Sequence, residues 1–118
     1  MRLLSAKGHA LVDWLTAPLL ALAVQRARLS EPARSSALMF VPLILLAVST
    51  TRTPLGVVRI VPLRLHGRAE IASVVVQFAL PWLRGFSSDR RGRNFMLGFA
   101  AYNFAVWLAT DWGSTEGK

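Results

Sequence analysis

The chain contains no cysteine. That absence excludes disulfides, thiolate metal sites and iron–sulfur ligation, and nothing in the sequence reports a redox compartment. Carboxylates are scarce: 6 Asp and Glu stand against 14 Lys and Arg, a formal net charge of +8. Histidine occurs only 2 times, and charged residues make up only 17% of the chain. A basic excess of this kind can serve nucleic acid, but no soluble basic domain is visible. The arginines flank apolar runs, where they meet lipid phosphates instead. No nucleic-acid partner is expected.

What is present is apolar. Hydrophobic residues make up 53% of 118 residues and the mean hydropathy is +0.43. That is too apolar for a typical soluble domain of this size, and the charge lies between apolar runs rather than along helix faces. The expected class is an all-α integral membrane protein, one domain over residues 1–118, in the cell (plasma or inner) membrane of a bacterium. Met1-Arg2 ahead of an apolar run resembles a signal peptide. Asp13 inside the run argues against one, so the segment is read as the first membrane helix.

Four apolar segments are expected to span: about 10–24, 37–51, 71–83 and 95–110. Each core is short for a bilayer and reaches the headgroups through polar flanks. Ser30-Glu31-Pro32 reads as a helix start that extends the second helix to about 31–51, and Ser87-Ser88-Asp89 reads as another. A soluble bundle would need a polar stripe on each helix, and Leu38–Val48 has none. Prolines 18, 42 and 81 fall inside apolar segments, as bundles in lipid tolerate. Ala17 with Ala21, and Ala101 with Ala105 and Ala109, form small-residue rows suited to close helix approach. Residues 54–64, apolar with Arg59 and Arg64, are expected to lie at the interface as a short amphipathic helix. The tail after Trp112 is expected to fray.

The strongest pattern is internal. His9 and Asp13 stand four apart at the start of the first apolar run, on one helix face. His66 and Glu70 repeat the arrangement at an offset of 66 − 9 = 57 residues. At the same offset Arg2 meets Arg59, Thr16 meets Ser73, Ser30 meets Ser87, Arg34 meets Arg91, Met39 meets Met96, Thr53 meets Thr110 and Gly56 meets Gly113. The unit is therefore a helical hairpin used twice in parallel, about 1–57 and 58–118. Two such hairpins are related by a pseudo-two-fold axis along the membrane normal.

Leu80-Pro81-Trp82-Leu83-Arg84-Gly85-Phe86-Ser87 resembles the signature of the SPW-repeat family of membrane proteins. In that family a Ser-Pro-Trp followed by a Gly-Phe-Ser-like turn ends the first of two membrane helices. Leu80 stands where the family has serine, and the first copy has no Pro-Trp at the matching positions. The resemblance implies a small integral membrane protein and no catalytic residues.

An even helix count puts both termini on one side. Lysine and arginine divide equally between the two sides, so the positive-inside rule sets no orientation; termini in the cytoplasm are the expected arrangement. The parallel repeat puts His9, Asp13, His66 and Glu70 at one depth, with Thr53, Thr110, Asp111 and Trp112 arriving from the ends of the second and fourth helices. The favoured reading of this polar cluster is a clamp that locks the hairpins, with no metal bound. A zinc or iron site is an alternative that no His-Glu-x-x-His motif supports. A pigment at His9 and His66 with Trp14 is another, its pocket or a quinone's being lined by Trp14, Phe78, Tyr102 and Trp107. Proton or ion passage, with Asn103 deeper in the fourth helix, is a third. Serines 35, 36, 49 and 73 lack a histidine at a matching depth, so no enzyme is expected. The leading functional expectation is an accessory, assembly or scaffold subunit whose partners are the bilayer, other membrane subunits or further copies of the chain.

Overall fold

A computed structural model describes residues 2–115 as four helices: α1 (Ala6–Ala27), α2 (Glu31–Thr50), α3 (Leu63–Leu83) and α4 (Arg90–Ala109). At 1.5 Å per residue they are each about 30–33 Å long. α1 and α2 are long and apolar enough to cross a membrane. Prolines 18, 42 and 81 lie within α1, α2 and α3 without ending them.

α1 packs on α2 and α3 on α4, and the hairpins meet chiefly through α2 and α4. The buried residues of α1 include Ala6, His9, Ala10, Ala17, Leu20 and Val24; those of α3 include Leu63, His66, Gly67, Val74, Gln77 and Pro81. Each pair differs by the offset of 57 seen in the histidines. The first helices of the two hairpins therefore bury the same face.

The second helices follow a different register. Their C-caps are Thr51 and Thr110, so the offset is 110 − 51 = 59, and their N-caps Ser30 and Asp89 differ by the same amount. The single offset expected from the sequence fails here, and the pairs Ser30–Ser87, Met39–Met96 and Thr53–Thr110 are not equivalent. The cause is the turn between the paired helices. Arg28–Ser30 joins α1 to α2 through one left-handed residue, Arg28. Arg84–Asp89 is longer, turns on Gly85 at φ +74° and tucks Phe86 into the core, with the Phe86 amide donating to the Pro81 carbonyl. This is the segment that resembles the SPW repeat.

Read at 59, the second helices place equivalent residues against one another, as an axis requires. The Ser30 hydroxyl donates to Asp89 Oδ2 at 2.6 Å. The rings of Phe40 and Phe99 are 5.8 Å apart. Ala33 faces Gly92 so closely that a Cβ on Gly92 would sit 2.6 Å from that of Ala33. The close approach is made here, and Ala37 and Ala100 are buried. Ala101 and Ala105, expected at an interface, face outward, because the buried stripe of α4 runs through Met96, Ala100 and Asn103.

The ends are paired alike. Leu4 bridges Thr110 and Val61 bridges Thr51, equivalent contacts in the two halves. Residues 51–62 form no amphipathic helix. The chain instead turns back and donates from the amides of Val57, Val58, Ile60 and Val61 to the last carbonyls of α2, Ser49 and Thr50, satisfying groups a helix end leaves free. Pro62 and helical Leu63 then place Arg64 inside α3. Ser30 caps α2 by backbone alone, its hydroxyl being committed to Asp89. The tail does not fray at once after Trp112: the Ala6 amide donates to Ser114 Oγ at 3.2 Å. The tail beyond Thr115 lies outside the described residues.

Candidate functional site

His9 and His66 come from the first turns of α1 and α3 and meet across the axis, ring centroids 5.2 Å apart. Each imidazole is held on its far side by a threonine hydroxyl. His9 Nδ1 lies 2.8 Å from Thr110 Oγ1, and His66 Nδ1 lies 2.7 Å from Thr51 Oγ1. Both hydroxyls donate their only proton to a carbonyl one helical turn back, Thr110 to Val106 and Thr51 to Ala47. They therefore accept from the ring, which fixes a proton on Nδ1 of both histidines.

The Nε2 atoms then face inward toward carboxylates. Asp13 Oδ2 lies 3.1 Å from His9 Nε2 and 3.3 Å from His66 Nε2. Glu70 Oε2 lies 3.0 Å from His9 Nε2 and 3.6 Å from His66 Nε2. Each acid thus spans both rings. Yet His9 Nε2 and Glu70 Oε2, both buried, form no hydrogen bond of adequate geometry. In the neutral tautomer, lone pairs converge on a common point.

Three of these atoms, the Nε2 atoms of His9 and His66 and a carboxylate oxygen of Glu70, lie within 4.8 Å of one another. Two histidines and one carboxylate form a ligand set for zinc, or for iron with open positions. With metal–ligand bonds of 2.0–2.2 Å, neighbouring tetrahedral ligands stand about 3.3–3.5 Å apart. The N–O separations to Glu70, 3.0 and 3.6 Å, bracket that range. The threonines supply the outer hydrogen bonds that orient metal-binding histidines.

Trp112 covers the pair, its ring 4.7 Å from His9 and 6.0 Å from His66. Gly67 makes room for it, since a Cβ there would stand 2.8 Å from the indole. The Trp107 indole donates to the Gly67 carbonyl at 2.8 Å and the Trp112 indole to the Trp107 carbonyl at 3.0 Å.

No family model, curated protein or solved structure matches the chain. The site therefore stands on its geometry.

Of the residues expected in the cluster, His9, Asp13, His66, Glu70, Thr110 and Trp112 meet. Asp111 does not: it is exposed, and its carboxylate accepts from the Gly113 amide at 3.0 Å. Trp14 does not either; its indole donates to the Leu55 carbonyl at 3.1 Å and ties α1 to the central connection. Thr53 is buried, but the hydroxyl on His66 belongs to Thr51. Trp14, Phe78, Tyr102 and Trp107 line no common pocket, Phe78 and Tyr102 being exposed. The expected interhelical bond of Asn103 is formed, its amide donating to Gln77 Oε1 at 2.9 Å. Sequence reading missed Thr51, Ser73 and Gln77. A two-residue gap in the repeat would have aligned Thr51 with Thr110.

Proposed function

We propose that this chain is a four-span membrane protein that binds one divalent transition-metal ion between its two hairpins, through His9, His66 and Glu70. Asp13 stands beside the ion as the second counter-charge. The carrying observation is that His9, His66 and the half-buried Glu70 each bring a ligand atom within 4.8 Å of the others, with both Nδ1 atoms committed to threonine. Two carboxylates and a divalent cation sum to zero charge, which offsets the cost of placing two acids inside the bundle. The role is binding, not catalysis.

The lipid setting has its own support. Large apolar side chains are exposed on all four helices, among them Leu15, Leu46, Val75, Trp82, Phe104 and Leu108. The polar clusters are inside. The longest dimension, 44 Å, matches a bilayer with its headgroups.

The test is cobalt substitution. Detergent-purified protein is stripped with a chelator and titrated with Co²⁺. A stoichiometric rise of visible ligand-field bands typical of low coordination is expected, lost in His9→Ala, His66→Ala and Glu70→Gln. A purely aqueous cobalt spectrum, or one indifferent to these changes, overturns the proposal.

A second reading, an accessory or assembly subunit, draws support from the same exposed apolar faces, which can pack on other membrane proteins or on copies of this chain. Recovery of a larger complex in mild detergent would favour it; a lone monomer would count against it.

A further inference from the structure

The two halves differ most between the first and second helices, about one turn deeper than the cluster. In one half, the Tyr102 hydroxyl on α4 donates to Thr16 Oγ1 on α1 at 2.6 Å, and the Thr16 hydroxyl donates to the Val12 carbonyl. Tyr102 spans the gap. In the other half the equivalent of Thr16 is Ser73 and the equivalent of Tyr102 is Leu43. Leucine is too short to reach, and the cavity between α2 and α3 widens to about 430 Å³, against about 310 Å³ beside Tyr102.

The cavity is amphipathic in a definite way. Its wall includes Phe40, Leu43, Ile44 and Ala47, and its rim reaches Leu46 and Leu65, both exposed on the outer surface. Its polar side carries Ser73, Gln77 and Asn103 and reaches the cluster itself at Asp13, His66 and Glu70. Gln77, 3% exposed, takes the place that leucine (Leu20) holds in the other half. Asn103 Nδ2 donates to Gln77 Oε1 and Gln77 Nε2 donates to Ser73 Oγ, each at 2.9 Å. Each amide NH₂ has two protons and uses one in these bonds. One donor per amide is left beside an apolar wall, with the Asp13 and Glu70 carboxylates in the same lining.

We propose that this cavity is a binding site for a neutral, carbonyl-bearing ring lipid of the quinone class, entering from the bilayer between α2 and α3. The volume suits a substituted ring. The spare amide protons suit carbonyl oxygens, Phe40 offers an aromatic face, and the leucine rim lets an apolar tail leave toward the acyl chains. Glu70 disfavours an anionic headgroup such as a fatty acid. The site uses Gln77, Asn103 and Ser73 and does not depend on a metal.

The test is titration of chelator-stripped protein in nanodiscs with decylubiquinone, followed by a photoreactive azidoquinone to map the contact. One saturable site labelling α2 and α3 is expected. Gln77→Leu, which copies the other half, should weaken binding about tenfold, the worth of one or two hydrogen bonds. Leu43→Tyr should fill the cavity beside Ser73 and abolish binding, with melting temperature retained. Absence of saturable binding, binding unmoved by Leu43→Tyr, or displacement by oleate as effective as by the quinone overturns the proposal. Because the protein is metal-free, failure of the metal reading leaves these results unchanged.

Discussion

Two glycines on α4 should respond in opposite senses to the same substitution. Gly92 lies on the axis between the hairpins. A Cβ there would be 2.6 Å from the Ala33 Cβ and 2.5 Å from Asp89 Oδ2. Carbon atoms in contact prefer about 3.5–4.0 Å, so α2 and α4 would have to part by about 1 Å. Overpacking of a close contact costs about 1–3 kcal/mol. Alanine returns about 0.5–1 kcal/mol of helix propensity, so Gly92→Ala should destabilise by about 0.5–2 kcal/mol. Gly98 sits less than two turns further along, with nothing within 4 Å of its Cβ position. Gly98→Ala should therefore stabilise by about 0.5–1 kcal/mol. Unfolding in detergent, followed by tryptophan fluorescence, separates the two. A Gly92→Ala protein as stable as Gly98→Ala would refute the close approach of the hairpins at Ala33 and Gly92.

Thr51→Val and Thr110→Val should each weaken metal binding about 10–100-fold, as loss of an outer-sphere partner does; chelator competition measures it, and unchanged affinity would mean the hydroxyls do not orient the rings. Trp112→Phe should remove most of the fluorescence quenching produced by Cu²⁺, because Trp112 covers both imidazoles while Trp14 is bonded to Leu55. At the opposite end, the Ser30 hydroxyl first, then the Gly92 amide, hold the Asp89 carboxyl below its ordinary value of 3.8. A depressed value in the folded state means stabilisation that is complete above that ordinary value and is lost as pH falls through the folded one. The stability gap between the parent and Asp89→Asn should thus be constant from neutral pH to about pH 5 and shrink below pH 4; melting curves across that range check it.

The sequence made the helices legible because their apolar runs and caps are unambiguous, and the His–carboxylate spacing survived in both copies. That spacing was enough to bring His9, Asp13, His66 and Glu70 together. Three things stayed hidden. The extra length of the Arg84–Asp89 turn shifts the second helices by two residues, so a single offset paired Thr110 with Thr53 rather than Thr51. The central connection has the composition of an interfacial helix, but its amides are drawn to the exposed carbonyls of α2. The direction of the imidazoles depends on a tautomer that only the threonine geometry fixes. Trp14 illustrates the same limit: proximity in the chain to Asp13 says nothing about which way an indole swings.

Joining two hairpins in one polypeptide has an outcome that separate, identical hairpins cannot reach. A symmetric dimer must carry a tyrosine in both niches or in neither, and an indole lid over both halves or none. Here Tyr102 bonds Thr16 on one side while Leu43 leaves the other niche wider, and Trp112 shields the histidines where its counterpart position holds only Thr53. Fusion keeps the shared imidazole centre while releasing each flank to specialise.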